Sequence, residues 1–401
     1  MAVYKNPLKA VNKNPLKAVY KNPLKVLLAS LVVVGCVQNQ PRIESGLGEL
    51  QRQFIAQFAD GVLIELPEDE TRETFVYLDN EVVPVVRARV ETMPVMSLED
   101  AADDPAIWVH PTDSTKSLIL GTDKKSGIGV YDLAGNQKQF LPAGLPNNID
   151  LRQGVTLGSW TGDIAISSNR IDNSVTLFSV AESGVAILGS FPSDAEPYGI
   201  CLGKVSEALV AFVTYKTGYL KGYQINGVTP EIEAKEIGAL RFGSQLEGCV
   251  HQDEANVLFV GEENTGIWQV STSLDQELFQ QTLSIDKVGQ STGMVDDIEG
   301  VALYHNGNNQ YLIASSQGND SYGVYDGTPP YNFRGRFRVG GGAIDGAQET
   351  DGIEASGAAF GSLFPLGFLV VQDGFNAPYG TPQNFKVIDW RDIATALALP
   401  Q

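Results

Sequence analysis

Hydrophobic and polar residues follow a repeating pattern between residues 100 and 390, with a unit that recurs about every 50 residues. Each unit has a hydrophobic run, a polar turn that contains Gly or Asn, and a second run rich in aromatic and β-branched residues. Such a unit predicts two strands joined by a short hairpin. The units are LILGTDKKSGIGVYDLAG from Leu118, DIAISSNRIDNSVTLFSV from Asp163, LVAFVTYKTGYLKGYQI from Leu209, VLFVGEENTGIWQV from Val257, YLIASSQGNDSYGVYD from Tyr311, and FLVVQDGF from Phe368 with NFKVIDW from Asn384.

A shorter segment that combines acidic or polar residues with Gly or Pro precedes each unit. These segments are DDPAIWVHP from Asp103, NNIDLR from Asn147, PYGICLG from Pro197, LEGCVHQD from Leu246, DIEGVALY from Asp297 and TDGIEAS from Thr350. Together with the hairpins they form six blocks of at least three strands, and little of this region has the period of a long helix. We therefore predict an all-β fold, a six-bladed β-propeller, because radial closure leaves only short strand edges exposed. A sandwich of two sheets is the alternative.

In a propeller of this kind the first strand of each blade lines a central channel, so the acidic segments should converge at one mouth. Residues 60–92 contain VLIEL, TFVYL and EVVPVVRARV. From these we expect a strand that closes the ring and an outer cover.

The first 36 residues have the pattern of an export signal. Three copies of KNPLK are followed by the hydrophobic run VLLASLVVVG and by Cys36. This run is too short to span a bilayer but fits the core of a signal peptide. VVGC resembles a bacterial lipobox, which predicts lipid attachment at Cys36; a plain secretory signal is the alternative. We assign residues 1–36 to a signal peptide, 37–84 to an N-terminal extension and 85–401 to the propeller domain, and expect an envelope lipoprotein or a secreted protein.

The charge of the chain limits its partners. The sequence has 28 Lys and Arg against 48 Asp and Glu, a formal net charge of −20. Residues 1–36 hold six Lys and no acid, so the remainder carries an even larger excess of acids. This charge argues against a nucleic-acid binder. Because the acidic protein repels anions, an anionic ligand could bind only if a positive group lay between it and the carboxylates. A hydrophobic fraction of 43% excludes a mainly disordered chain.

Carboxylates on or beside the acidic segments predict a metal site. Many oxygen donors without His or Cys favour Ca²⁺ over Mg²⁺. Any one acid taken alone is better explained as a solvated side chain, but a cluster repeated at matching blade positions favours the metal. Asp297 and Glu299 are two residues apart, so we expect both to face one side of a strand and to share an ion. The acids are Asp103, Asp104, Asp150, Glu247, Glu262, Glu263, Asp296, Asp297, Glu299, Asp345, Asp351, Glu354 and Asp373, and the neutral donors are Asn148, Gln317, Asn319 and Asn376.

Cations recur with similar regularity. Lys124 and Lys125 fall in the first predicted hairpin, Arg170 in the second and Lys216 in the third. A metal on one wall and Lys or Arg on the other would suit a ligand with several phosphates; ordinary exposed hairpins are the alternative.

Cysteine and histidine give little support for other chemistry. Cys201 and Cys249 either pair as a disulfide or remain buried thiols, and the sequence leaves both open. His110, His251 and His305 are too far apart to predict a zinc pair or a His-based nucleophile system.

The ordered series of these motifs resembles the β-propeller phytases, the alkaline 3-phytase family, over residues 85–393. Besides the acidic segments, it includes VRARVETMPV, TDKKSGIGVYDLAG, SSNR, EPYGI, GEENTGIWQV, ASSQGNDSYGVYD, DGAQETDGIEA, QDGFN and NFKVIDW. The resemblance implies a six-bladed propeller with several Ca²⁺ ions. Asp123, before the Lys pair, and Thr217–Gly218, after Lys216, depart from the family pattern, which affects the expected affinity and pH optimum more than the reaction.

The resemblance also implies residue roles. Metal ligands would be Asp103, Asn148, Asp150, Glu247, Glu263, Asp297, Glu299, Gln317, Asp345, Asp351, Asp373 and Asn376. Substrate would be bound by Lys124, Lys125, Arg170, Tyr198 and Lys216, and the catalytic set would be Asp297, Glu299, Glu247, Glu263, Lys124 and Arg170.

The implied reaction is hydrolysis of phytate, myo-inositol hexakisphosphate, to lower inositol phosphates by a metal-activated water. We expect a monomer that binds phytate or another inositol polyphosphate. We expect it to bind no nucleic acid and to be attached to a membrane only through Cys36. Two alternatives are another Ca²⁺-dependent propeller hydrolase, such as a lactonase or phosphotriesterase, and a non-catalytic surface propeller that binds phosphorylated ligands.

Overall fold

The computed structural model describes residues 63–67, 73–77, 83–228, 230–307, 309–377 and 381–400. All of them lie in one compact unit. The predicted signal peptide and Cys36 lie outside the described residues. In the described part of the chain, no helix is long and apolar enough to cross a membrane.

Four strands precede the repeats. They are β1 (Leu63–Pro67), β2 (Glu73–Tyr77), β3 (Val85–Val86) and β4 (Val90–Glu91). β1 and β2 pair with each other in a separate antiparallel sheet.

The repeats form six antiparallel sheets, here called blades 1 to 6. Blade 1 contains β5 (Ala102–Trp108), β6 (Leu118–Asp123), β7 (Gly127–Asp132) and β8 (Gln137–Pro142). Blade 2 contains β9 (Pro146–Leu157), β10 (Trp160–Asn169), β11 (Ser174–Ala181) and β12 (Gly184–Pro192). Blade 3 contains β13 (Ile200–Val205), β14 (Ala208–Thr214), β15 (Tyr219–Gly227) and β16 (Glu233–Arg241).

Blades 4 to 6 repeat this order. Blade 4 contains β17 (Leu246–Gln252), β18 (Val257–Glu262), β19 (Gly266–Thr272) and β20 (Phe279–Lys287). Blade 5 contains β21 (Ile298–Asn306), β22 (Asn309–Ser316), β23 (Ser321–Asp326) and β24 (Phe333–Val339). Blade 6 contains β25 (Ile353–Ser356), β26 (Phe368–Asp373) and β27 (Asn384–Asp389).

The first strands of the blades form a closed ring. β5 lies against β9, and the contacts continue through β13, β17, β21 and β25 back to β5. This ring confirms the six-bladed propeller and excludes the sandwich. The strands that line the channel are those predicted from the acidic segments.

The N-terminal strands complete the last two blades. β4 pairs antiparallel with β27 and becomes the fourth strand of blade 6, which confirms the predicted closing strand. β3 adds in parallel to β24 at the edge of blade 5. The strands β3 and β4 therefore lie in the same part of the ring as β27, the last strand of the propeller.

The hydrophobic core lies between the faces of neighbouring blades. For example, Ile164 and Ile166 of blade 2 pack with Ile200 and Leu202 of blade 3. The strands β6, β26 and β27 are buried along their whole length, whereas the outer strand β16 is half-buried to exposed. Alternation of buried and exposed positions is typical of the outer strands of a sheet.

One helix and three short turns complete the described elements. Helix α1 (Trp390–Ala396) begins at Asp389, whose side chain accepts a hydrogen bond from Arg391 N, as an N-cap does. The 3₁₀ turns are Ser114–Lys116, Asp253–Ala255 and Gln317–Asn319.

Cys201 and Cys249 form a disulfide, with their Cα atoms 5.7 Å apart. The bond joins β13 to β17, the innermost strands of blades 3 and 4. The structure thus decides between the two states that the sequence left open.

Candidate metal centre

Four innermost strands carry an irregularity where their polar residues lie. The pairing register shifts at Asp103–Asp104 in β5, at Asn147–Asn148 in β9, at Glu247–Gly248 in β17 and at Glu299–Gly300 in β21. A β-bulge of this kind redirects side chains that regular alternation would send to opposite faces. The bulges therefore allow polar side chains of four blades to lie close to one another.

Glycines after the acids allow the innermost strands to approach each other. A Cβ on Gly248 would lie 2.3 Å from the carbonyl oxygen of Glu299, and one on Gly300 would lie 2.7 Å from that of Asp351. Gly300 N donates a hydrogen bond to Asp351 O at 2.6 Å. A larger residue would push the strands apart, so the Glu-Gly pairs bring carboxylates of neighbouring blades together.

Glu247, Glu263 and Glu299 form the central cluster of the channel mouth. One carboxylate oxygen from each lies within 4.8 Å of the other two, and all three side chains are buried. The backbone of Glu263 follows β18 and is held by Gln245 O and Ile298 N, each at 3.1 Å. Three negative charges buried so close together repel strongly unless a cation lies among them.

Asp103 and two asparagines adjoin the central cluster. Asn147 Nδ2 lies 3.0 Å from Glu247 Oε1, 3.4 Å from Asp103 Oδ1 and 2.9 Å from Asn148 Oδ1. Burial raises the pKa of Asp103 well above 3.8; the charge of Lys124 opposes this effect, and the charge of Glu247 adds to it.

Lys124 pairs with acids beside blades 1 and 6. Its Nζ lies 2.6 Å from Asp100, 3.3 Å from Asp103 and 3.1 Å from Asp351. Burial lowers the pKa of Lys124, but the charges of these carboxylates outweigh that effect and raise it, so the side chain stays protonated. Asp351 also accepts a hydrogen bond from Gln317 Nε2 at 2.5 Å.

Arg170 follows β10 in blade 2 and Lys216 follows β14 in blade 3. Together with Lys124, these cations are here called the positive wall. Arg170 Nη2 donates to Lys124 O at 2.9 Å, and its buried Nε has no hydrogen-bond partner among the described residues. Lys216 Nζ lies 4.2 Å from the centre of the Tyr198 ring, a cation–π contact. Burial raises the pKa of Tyr198, and the charge of Glu247 adds to the effect, so the phenol stays neutral beside the cluster.

Lys125 points to a different place from Lys124. Its Nζ donates to Leu98 O at 2.8 Å and lies 3.6 Å from Glu99, and its side chain is 41% exposed. Asp123, a departure from the family pattern, accepts from Ser97 N and Lys125 N and so closes this hairpin.

Asp345, Asp373 and Asn376 lie around Lys386 instead of the central cluster. The fully buried Lys386 Nζ is 2.5 Å from Asp345, 3.2 Å from Asp373, 3.3 Å from Asn376 Oδ1 and 2.7 Å from Glu91 of the closing strand. This group, here called the lysine cluster, already contains a positive charge. It connects β4 to blade 6.

Asp150 lies deeper in the channel. It pairs with Arg152 at 3.2 Å, accepts from Leu202 N at 2.8 Å, and lines a small cavity together with Asp104 and Glu354. Burial, followed by the charge of Asp150, raises the pKa of Glu354 from 4.5 to about 8.

The expected pairing of Asp297 with Glu299 on one strand is wrong. β21 begins at Ile298, and Asp297 has a φ of 63°, in the left-handed region. A left-handed residue turns the chain sharply, so regular strand alternation does not relate the two side chains.

The donor set of the central cluster fits Ca²⁺. Carboxylate and amide oxygens are the ligands that this ion prefers. Asn147 Oδ1 is buried and has no hydrogen-bond partner among the described residues. A buried amide oxygen is costly without a partner, and an ion or a water on that ion would provide one.

Histidine and the two paired cysteines are engaged elsewhere. His251 bonds Asp253 and Thr272, His110 bonds Glu182, and His305 bonds Gly307 O. The disulfide occupies both Cys201 and Cys249. Cys201 and Cys249 therefore carry no free thiol.

Sequence reasoning missed four residues of these groups: Asp100, Asn147, Glu91 and Lys386. Asn147 is the first residue of the NNIDLR motif and Asp100 lies three residues before DDPAIWVHP, so their amide and carboxylate groups were the available signal. Lys386 lies in a regular strand motif that gives no sign of a buried charge.

Comparison with known proteins finds several that are similar to this chain. The sequence model of the family described as Phytase matches residues 69–399. A 3-phytase of Bacillus subtilis (strain 168) is 35% identical over 369 residues, which cover 87% of this chain and 94% of the relative. Among solved structures, a β-propeller domain of Myceliophteria thermophila Cps50 (Swd1) has a TM-score of 0.42 at 14% identity and covers 70% of this chain and 82% of its own. A protein from Lactobacillus plantarum has a TM-score of 0.46 at 12% identity, with 80% and 94% covered.

The family match at residues 69–399 includes every strand of the six blades, and the match to the 3-phytase covers most of the chain. The chain belongs to the phytase family.

Proposed function

We propose that the chain is a calcium-dependent phytase, which hydrolyses phosphate esters of myo-inositol hexakisphosphate to lower inositol phosphates and inorganic phosphate. The observation that carries the proposal is the convergence of Glu247, Glu263 and Glu299 within 4.8 Å beside cations of blades 1 to 3. Membership of the phytase family and the similarity to a 3-phytase support the reaction.

Each group has a part in this chemistry. Glu247, Glu263 and Glu299 would hold the ion, which when bound supplies positive charge for the phosphoryl oxygens and lowers the pKa of a water. Arg170 has an unused Nε donor, and Lys216 is held on an aromatic ring, so both are placed to bind phosphate oxygens. Phosphoryl transfer needs mainly positioning and charge neutralisation, which these side chains provide.

Phosphate release tests the proposal and separates it from the alternatives. The purified protein would be given phytate, an aryl monophosphate, a lactone and a phosphotriester, each with millimolar Ca²⁺ and with a chelator. We expect phosphate from phytate with Ca²⁺ only, and a loss of roughly a hundredfold or more in kcat for Glu299→Gln, as for loss of a major electrostatic stabiliser.

Glu262→Gln is the matched control, since Glu262 bonds Ser244 and Trp268 outside the cluster. Turnover of the lactone or phosphotriester alone would favour another propeller hydrolase, and binding of phytate without turnover would favour a non-catalytic role. Full activity in the chelator would contradict the role of calcium.

Export is a separate part of the proposal. The disulfide between Cys201 and Cys249 supports an oxidising compartment, because such bonds rarely persist in a reducing cytosol. Cys36→Ser should move the protein from the membrane fraction to the soluble fraction without a change in specific activity. Wild-type protein that is wholly soluble would favour ordinary secretion.

A further inference from the structure

We propose that Asn147 is a positioning residue of the calcium site, which aligns ligand oxygens of blades 1, 2 and 4 through its amide nitrogen. Its amide oxygen is available to the ion or to a water on the ion. This inference rests on the proposed function and assigns a role to a residue outside the ligand set implied by the family resemblance.

The geometry places Asn147 at the point where three blades meet. Its side chain is 1% exposed, and its Nδ2 is within hydrogen-bond distance of oxygens of Asp103, Asn148 and Glu247. The bulge at Asn147–Asn148 in β9 makes this possible, because it lets two consecutive side chains approach to 2.9 Å.

The chemistry of the amide fits this place. Its two N–H groups hold carboxylates of blades 1 and 4 without cancelling their charge, whereas a Lys would neutralise them and an Asp would repel them. The nitrogen has three acceptors around it, while the buried oxygen has no hydrogen-bond partner among the described residues. Such an imbalance is expected when the partner of the oxygen is a bound ligand.

The test is calcium affinity, measured by titration calorimetry on the full chain. Because several ions are expected, the binding phase that Glu299→Gln loses identifies the central cluster. Asn147→Ala and the similarly sized Asn147→Leu should weaken that phase about 10- to 100-fold, as loss of a group that orients metal ligands does.

Gln153→Ala is the matched control. Gln153 lies on the same strand and also bridges blades, since it accepts from Val109 N at 2.9 Å and donates to Val109 O at 2.8 Å. Loss of this bridge should lower the melting temperature and leave the calcium affinity unchanged. Asn147 variants that are destabilised like Gln153→Ala and bind calcium within twofold of wild type would overturn the inference.

The outcome also separates this inference from the proposed function. Normal calcium binding in Glu299→Gln would overturn both, because the central cluster would then not be the metal site. A phase lost in Glu299→Gln but unchanged in both Asn147 variants would overturn only the role of Asn147.

Discussion

Glu299→Gln should change stability in opposite directions with and without calcium. Glu299 shares the central cluster with Glu247 and Glu263, and the substitution keeps the shape of the side chain while removing its charge. In protein freed of metal, less repulsion should make the variant more stable than wild type. The variant lacks one charged ligand, so calcium should stabilise it less than it stabilises wild type.

The distances set the size of the effect. Two unit charges 4.8 Å apart repel by about 3.5 kcal/mol at an effective dielectric constant of about 20. The substitution removes two of the three pairs, so about 7 kcal/mol of repulsion is removed at this separation. For the metal-free variant we expect a rise of about 2 to 6 °C in melting temperature. For wild type, calcium at 100 times its Kd should add about 2.7 kcal/mol, most of which the variant would lose.

Scanning calorimetry at pH 7 with EDTA and with millimolar Ca²⁺ measures both effects. The control is Glu262→Gln. Glu262 is buried and is the sequence neighbour of Glu263, but its carboxylate accepts hydrogen bonds from Ser244 and Trp268. This substitution should lower the melting temperature by the same amount in both conditions. The reasoning is refuted if Glu299→Gln melts below wild type in EDTA and if calcium raises its melting temperature as much as it raises that of wild type.

Three further predictions concern other parts of the ring. Lys216→Ala should raise the KM for phytate more than for an aryl monophosphate; equal losses would mean that Lys216 serves the scissile phosphate. Replacing Cys201 and Cys249 with Ser should lower the unfolding free energy by about 4 kcal/mol, since the bond closes a loop of 48 residues; an unchanged urea midpoint would contradict this. The raised pKa of Glu354 stabilises metal-free protein fully below about pH 4.5, and that contribution is lost as the pH rises through about 8. Glu354→Gln should flatten this part of the stability profile, and an unchanged profile would show that another group titrates there.

The fold was predictable because each blade has its own local sequence pattern and this pattern repeats along the chain. Alternating hydrophobic runs around polar turns determine each hairpin, and six such blocks leave a closed ring as the solution with the fewest exposed edges. The closing strand was also visible, since EVVPVVRARV has strand character without a hairpin partner. Pairing of Cys201 with Cys249 was not, because it depends on how two blades sit side by side.

The site was predictable only where regular geometry holds. Period-2 reasoning placed Asp297 beside Glu299, but a left-handed residue at Asp297 breaks the alternation. Lys386 reads as one residue of a strand, and its partner Glu91 is 295 residues away. Contacts of this range depend on the closure of the whole ring, which no local pattern records.

The propeller resolves how so acidic a chain can bind a polyanion. The hairpin between the second and third strand bears a cation in blades 1 to 3, namely Lys124, Arg170 and Lys216, and an oxygen donor in blades 4 and 5, namely Glu263 and Gln317. One half of the mouth therefore has cationic side chains of its own, and the other half would gain positive charge only when a cation occupies the carboxylates. A monophosphate needs one half, whereas a ligand with several phosphates can engage both at once. The residue that each blade carries at the same hairpin position therefore predicts a preference for polyphosphates, which the comparison of phytate with an aryl monophosphate would test.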